Sequence, residues 1–412
     1  MSHGDRRVRL NSAGLGRMPA AVLETLTEWT RFEDRYGPYE LEERLDDVLQ
    51  RQIHRRLGAL LGAPPGDTVV CAGGQEAFAA VTERLELGPH DRIWTTPYEA
   101  AGHLTALLAL RDRTRCRLDV VPLRPGGDLD LEWMAQHIGD DVALVSVPHV
   151  PAGCGIVHPV EDIGRLLAGH RCRFAVDASY AVGQLPVDVA RIGCQLLTGD
   201  GWRFLGGPQS TGFAYVAPSL RHTAGPYEPA PLPAAEGARV AALDTALAAH
   251  AATPPGTGDD GTGGHTGADL AARLRAAVQQ MPGTELIAPG RRQSAVVTFR
   301  HERLPAARIR RALAERGIAV CKTVAQEMPL YLPGRGIDTA VRASVHHTNT
   351  AEDIDRFTDA LRDTLAQEQS RPTPTPVPHP QAAPAPAPAP APAPVPAARP
   401  ARRRHLSLVP GT

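Results

Sequence analysis

One lysine, Lys322, stands among 44 basic residues, so the other 43 are arginines and any chemistry needing a primary amine has one side chain to draw on. Asp177 closes the apolar run CRFAVDA at 172–178. A carboxylate there is costly without a cation or hydrogen-bond donor, and a pyridinium nitrogen would serve. GGQEA at 73–77 follows one apolar run and opens a helical one, so Gly73, Gly74 and Gln75 bring free backbone N–H groups and a helix dipole to bear on an anion. The plainer reading makes Gln75 a cap for its own helix. Arg342, in VRASV, offers a guanidinium to a carboxylate or to a salt bridge at a strand end. His149 is a candidate proton carrier, although it and His103 also read as cleft or core histidines. The six cysteines contain no CxxC pair and read as reduced thiols, with Cys321 inert and no metal site.

These residues need a scaffold that gathers strand ends. From about residue 56 to 216, helical stretches alternate with apolar runs at 67–72, 91–96, 116–123, 141–147, 172–178 and 212–217. Runs apolar on both faces suit a mostly parallel sheet covered by helices. Helices are expected over Gln75–Leu87, Ala101–Arg111, Leu131–His137 and Val160–Ala168, and ligands of such folds bind beyond the carboxyl ends of the strands. A helix is expected near Gly237–His250 between two loops, and beyond it strands at 294–301, at GIAVC and at 339–347, with helices over Pro305–Arg316 and Ala351–Gln369, predict a smaller α+β unit.

The expected organisation is an N-terminal segment at 1–20 packing on the small domain, a large domain at 21–251, a flexible loop at 252–268, a small domain at 269–370 and a tail at 371–412. That tail holds 14 of the 39 prolines and alternates Ala with Pro from 383 to 396, a polyproline spacer that builds no core. It ends in RRRHLSL, a docking or phosphorylation site for a protein partner, or else an extension without one. A net charge of −1 argues against nucleic-acid binding. The chain start lacks an apolar signal region and no stretch reads as a membrane span, so a soluble cytoplasmic protein is expected.

Five segments in order, GGQEA, HVPAGCGIVHPVEDIGRL at 149–166, VDASYAVGQLPVDV at 176–189, WRFLGGPQSTGFAYV at 202–216 and VRASVHHTNTAEDIDRF at 341–357, resemble the fold-type I pyridoxal-phosphate enzymes of aminotransferase class V over roughly residues 8–366. RLNSAGLGRMP and YGPYELEE resemble the branch holding isopenicillin N epimerase-like proteins and the hercynylcysteine sulfoxide lyase of ergothioneine biosynthesis. The resemblance implies a homodimer, pyridoxal 5′-phosphate, an amino-acid-like or carboxylate ligand, and carbon–sulfur lyase or aminotransferase activity. It places Gly73, Gly74 and Gln75 at the phosphate, Asp177 at the ring nitrogen, Tyr180 near the ring hydroxyl and Arg342 at the substrate carboxylate.

The resemblance also puts Arg203 where the family has its imine lysine, Asp200 where it has Ser or Thr, and Ala152 where it has Asn. The family's ring-stacking side chain falls at Ala100 or Ala101. Arginine stays protonated and forms no imine. Three readings remain open at this point: a non-catalytic partner subunit or sensor, a lysine-independent enzyme, and an enzyme that recruits Lys322. Arg203 itself reads either as that displaced position or as a structural cation paired with Asp200 or Asp177.

Overall fold

Short apolar runs become strands here because neighbours cover both of their faces. In the computed structural model, which describes residues 7–223, 236–252, 267–288 and 290–369, the segment VALVSVP is buried at every position. Seven strands form the first sheet: β2 (Thr68–Cys71), β3 (Arg92–Thr95), β4 (Arg117–Val120), β5 (Val142–Pro148), β6 (Arg173–Asp177), β7 (Leu196–Asp200) and β8 (Gly212–Val216). Their order is β2-β8-β7-β6-β5-β3-β4, with β8 antiparallel to both neighbours and the remaining pairs parallel.

Strand alternation sorts the core into two layers. Ile93, Leu144, Ala175 and Leu196 pack under helices Gly74–Glu83 and Ala101–Thr114, joined by Phe78, Val81 and Leu107. Trp94, Val145, Phe174, Val176 and Leu197 face the other layer with Ile53, Leu57 and Ile163. Each such side chain taken fully out of water contributes roughly 1.5–3 kcal/mol, so helices on both faces make this doubly wound α/β layer stable.

A second sheet, in the order β1-β11-β12-β10-β9, consists of β1 (Val8–Leu10), β9 (Thr284–Leu286), β10 (Val296–His301), β11 (Ile318–Val324) and β12 (Thr339–Ser344). β1 joins β11 in parallel and the other pairs are antiparallel. Helices Ala306–Glu315 and Ala351–Gln369 cover it through Ile309, Leu313, Phe357 and Leu361. Met1–Gln369 forms one compact unit. The expected tail, and the loop expectation over 253–266, lie outside the described residues.

Most expected elements occur within a few residues of their predicted bounds; helix Leu131–His137 matches at both ends. Several elements escaped the sequence reading, the short strands β1 and β9 among them. β7 was not expected, because LLTGD carries only two apolar residues; the sheet on either side buries it. Helices Ala20–Tyr36, Pro38–Asp47 and Ile53–Leu61 precede the first expected repeat, and Gly267–Gln279 was likewise unassigned.

After β1 the chain crosses beside residues 202–203. Gly16 N–H donates to the Trp202 carbonyl at 2.9 Å, and a Cβ on Gly16 would stand 1.8 Å from the Arg203 carbonyl oxygen. Only glycine fits there. Gly16→Ala is therefore expected to cost roughly 1–3 kcal/mol by overpacking and to lower the midpoint of thermal unfolding by several degrees, measured by circular dichroism.

Candidate functional site

β5, β6 and β7 run parallel, so their carboxyl ends open at one edge of the sheet beside the start of helix Gly74–Glu83. Gly74 lets that helix approach closely, since a Cβ there would lie 2.9 Å from the Gly199 nitrogen. Its N–H donates to Asp200 Oδ1 at 3.1 Å. The last residue of β7 thus caps the helix. Gln75 does not, which corrects the capping expectation: the helix has no side-chain cap of its own, and Gln75 lies against Gly102.

Asp200 also accepts from Arg203 Nε at 2.8 Å. Arg203 Nη1 donates to the Ala13 carbonyl at 2.7 Å, and its guanidinium carbon lies 3.9 Å from the Tyr180 ring centre. Its side chain is 16% exposed and that of Asp200 8%. Burial pushes the Asp200 carboxyl above its usual range, while Arg203 pulls it down and Asp177 adds to the rise. A guanidinium stays charged throughout, so Asp200 faces a permanent cation.

Asp177, at the end of β6, accepts from Ser179 N–H at 2.9 Å and faces His103 Nδ1 at 3.9 Å. Of the two partners expected for Arg203, the structure therefore gives it Asp200. Tyr180 lies one turn further on, 6% exposed, with Arg203 at its ring and Arg342 5.8 Å from the ring centre. Arg342 reaches in from β12, donating through Nη1 to the Ala152 carbonyl and to Glu327 Oε2 at 3.0 Å.

Register decides where Lys322 goes. Cys321 is the direct partner of Arg342 and Lys322 of Val341, and adjacent strand residues point to opposite faces. Lys322 therefore projects from the face opposite Arg342, alongside the core residue Val341. This register speaks against the reading in which Lys322 is recruited to the site. Cys321 shares the Arg342 face. Burial pushes the thiols of Cys71, Cys154 and Cys194 up to about 12, which leaves them protonated and poorly nucleophilic.

Beneath the site lies a layer of titratable groups that sequence reading took only in part. Glu99 is fully buried and accepts from Thr95 Oγ1 at 3.0 Å and Ser146 Oγ at 2.9 Å, while its Oε1 has no partner. Desolvation raises its pKa against the pull of His103. His149 is held down to about 3 by burial and by His158 and Arg292, and its backbone N–H donates to the Asp177 carbonyl at 2.8 Å. His158, whose Nδ1 meets the Pro148 carbonyl at 2.6 Å, falls to about 4 through burial. Both imidazoles are neutral in the folded protein. Among the described residues no group of three or more His, Cys, Asp or Glu is arranged to hold a metal, and no helix is long and apolar enough to cross a membrane.

The structure thus brings Gly73, Gly74, Asp177, Tyr180, Asp200, Arg203 and Arg342 into one cluster, sets Gln75 beside Gly102, and seats His149 on the Asp177 backbone next to His158. Sequence reading missed Glu99, Glu327 and Ala13. Glu99 directly precedes the positions 100–101 already singled out, which is a usable signal. Ala13 acts through its backbone and Glu327 through a distant pairing, and neither leaves one.

The sequence pattern of aminotransferase class V matches residues 10–232 and 265–357. A probable cysteine desulfurase of Xylella fastidiosa is 27% identical over 389 residues, covering 87% of this chain and 91% of that protein. A putative cysteine desulfurase of Bacillus subtilis is 30% identical over 223 residues, 52% of this chain and 57% of its own. Among solved structures, a cysteine desulfurase of Escherichia coli gives a TM-score of 0.74 at 19% identity, over 88% of this chain and 95% of that one. The cystine C–S lyase C-DES, solved with cysteine persulfide, gives 0.72 at 19% identity, over 87% and 98%. These likenesses show the fold: an α/β, fold-type I pyridoxal-phosphate aminotransferase-like architecture.

Two expectations follow. Removing one member of a buried ion pair costs roughly 3–5 kcal/mol. Asp200→Asn and Arg203→Met are each expected to destabilise on that scale and the double variant by clearly less than the sum, read from denaturant midpoints; simple additivity would refute the coupling. The second concerns pH. A histidine with a depressed folded pKa gives stability that is present above its unfolded value of 6.5 and lost as pH falls toward about 4 for His158 and about 3 for His149. At about 1.36 kcal/mol per unit the loss reaches about 3 kcal/mol for His158 and about 5 kcal/mol for His149, so His158→Asn should flatten the decline in urea midpoint between pH 6.5 and 4.

Proposed function

The chain belongs to aminotransferase class V, and from that premise we propose that it is a non-catalytic member of the desulfurase-like branch, a partner subunit or small-molecule sensor that holds no pyridoxal phosphate as an imine. The observation that carries this reading is the Asp200–Arg203 pair seated on helix Gly74–Glu83. On the family resemblance, Arg203 takes the lysine position and the start of that helix is the phosphate site. A carboxylate already holds the Gly74 N–H.

The residues present do not fit the cofactor. A phosphate oxygen about 4 Å from Asp200 would meet a repulsion of about 4 kcal/mol per charge pair at an effective dielectric near 20. A helix N-terminus returns only about 0.3–2 kcal/mol. Repulsion wins. Arg203 is bound on two sides and lies against Tyr180, and Lys322 faces away. Only Asp177, at the end of β6, keeps a role compatible with a pyridine nitrogen.

Losing the imine lysine removes a covalent part on which rate enhancement depends, and such parts act together rather than additively. The fold can persist without the site that other members carry on it. The start RLNSAGLGRMP supports the hercynylcysteine sulfoxide lyase-like branch as ancestry, and we extend the proposal to homodimeric assembly and a cytoplasmic location.

The purified protein incubated with pyridoxal phosphate is expected to show no imine absorbance, no cofactor retained on gel filtration and, after borohydride, no adduct on Lys322, the chain's one lysine. An adduct on Lys322 would overturn the reading. Retained cofactor without an adduct would favour the lysine-independent enzyme, since Asp177 remains in place. Arg203→Lys alone is expected to leave the spectrum blank because Asp200 stays.

A further inference from the structure

Arg342 needs an anion, and the chain supplies one. Its side chain is 3% exposed, and a guanidinium cannot shed its charge on burial, so an acceptor must come in with it. That acceptor is Glu327, whose Oε2 lies 3.0 Å from Arg342 Nη1. Glu327 ends the short 3₁₀ turn Ala325–Glu327 that follows β11. Thr323 Oγ1 donates to the same Oε2 and steadies it.

The contact is incomplete. Arg342 Nη1 serves both Glu327 and the Ala152 carbonyl and the Cys321 thiol also faces the guanidinium, while the buried Nε reaches no oxygen acceptor. A guanidinium meets a carboxylate best through two parallel N–H···O bonds. Glu327 makes one and leaves a buried donor without an oxygen acceptor, an arrangement that costs free energy. Its own side chain is 30% exposed, so solvent reaches it from outside.

We propose that Glu327 is a displaceable internal ligand of Arg342, a carboxylate latch that occupies the guanidinium in the resting protein and yields to a small carboxylate able to engage Nε as well. An incoming carboxylate takes over Arg342, and Glu327 swings toward water on its short turn. Arg342 keeps a counterion in either state. The inference holds whether or not pyridoxal phosphate binds, so its test is independent of the absorbance experiment.

The test is calorimetric titration of the full chain with propionate, with propionamide as the uncharged control. Wild type is expected to bind propionate weakly, Glu327→Gln at least tenfold more tightly, and neither to respond to propionamide. Arg342→Lys in the Glu327→Gln background should abolish the gain. Thr323→Val keeps the carboxylate but removes the hydroxyl that steadies it, and should give an intermediate gain even if Glu327→Gln folds poorly. Folded Glu327→Gln and Thr323→Val proteins with wild-type affinity would overturn the proposal, as would a gain that survives Arg342→Lys.

Discussion

The Asp200 carboxylate is the point on which the cleft is built. One oxygen takes the Gly74 N–H and the other the Arg203 Nε, so a single buried group joins the end of β7, the start of helix Gly74–Glu83 and the 201–203 loop. A helix start leaves several N–H groups without intrahelical partners. A buried guanidinium leaves several more. Asp200 answers both demands at once, and so neither the helix start nor the loop is free to settle elsewhere.

The N-terminal strap extends this constraint to the second sheet. Ala13 accepts from Arg203 through its carbonyl and donates from its N–H to Ser344 Oγ at 2.8 Å. Ser344 is the last residue of β12, two positions beyond Arg342 and on the same face. The two arginines of the cleft are therefore positioned through one strand and one strap. Tyr180 completes the link between them, with Arg203 at 3.9 Å and Arg342 at 5.8 Å from its ring centre.

How much of this could be read from the chain depends on the range of the interaction that fixes it. The doubly wound layer was legible because runs such as VALVSVP bury both faces and carry the signal in themselves. β7 was not, since LLTGD owes its strand state to hydrogen bonding with β6 and β8. In the site, Asp177, Asp200, Arg203 and Arg342 stood out by residue type and family spacing. Their pairings did not. Arg203 could be paired with Asp177 or Asp200 on paper, and three-dimensional distance decides for Asp200. Glu327 lies 15 residues before Arg342 and meets it only because β11 and β12 run antiparallel. Lys322 shows the same limit in reverse, since one step of strand register turns it from the cleft face to the core face.

Simple loss of a ligand site does not account for charges arranged in this way. A buried ion pair is on average no more stabilising than well-packed apolar side chains of similar volume, so unselected change would be free to replace it. The cleft instead contains two arginines, each matched by a carboxylate of the same chain: Asp200 for Arg203 and Glu327 for Arg342. Matching has a physical reason at each place. The Gly74 N–H needs an acceptor whatever else the site holds, and so does a guanidinium drawn between Ala152 and β12. The two pairs nevertheless differ in kind. Asp200 is 8% exposed and uses both oxygens, which makes its pair a fixed part of the scaffold. Glu327 is 30% exposed and leaves the Arg342 Nε without an oxygen acceptor, so of the two carboxylates it is the one that an outside anion can replace without unpicking the fold.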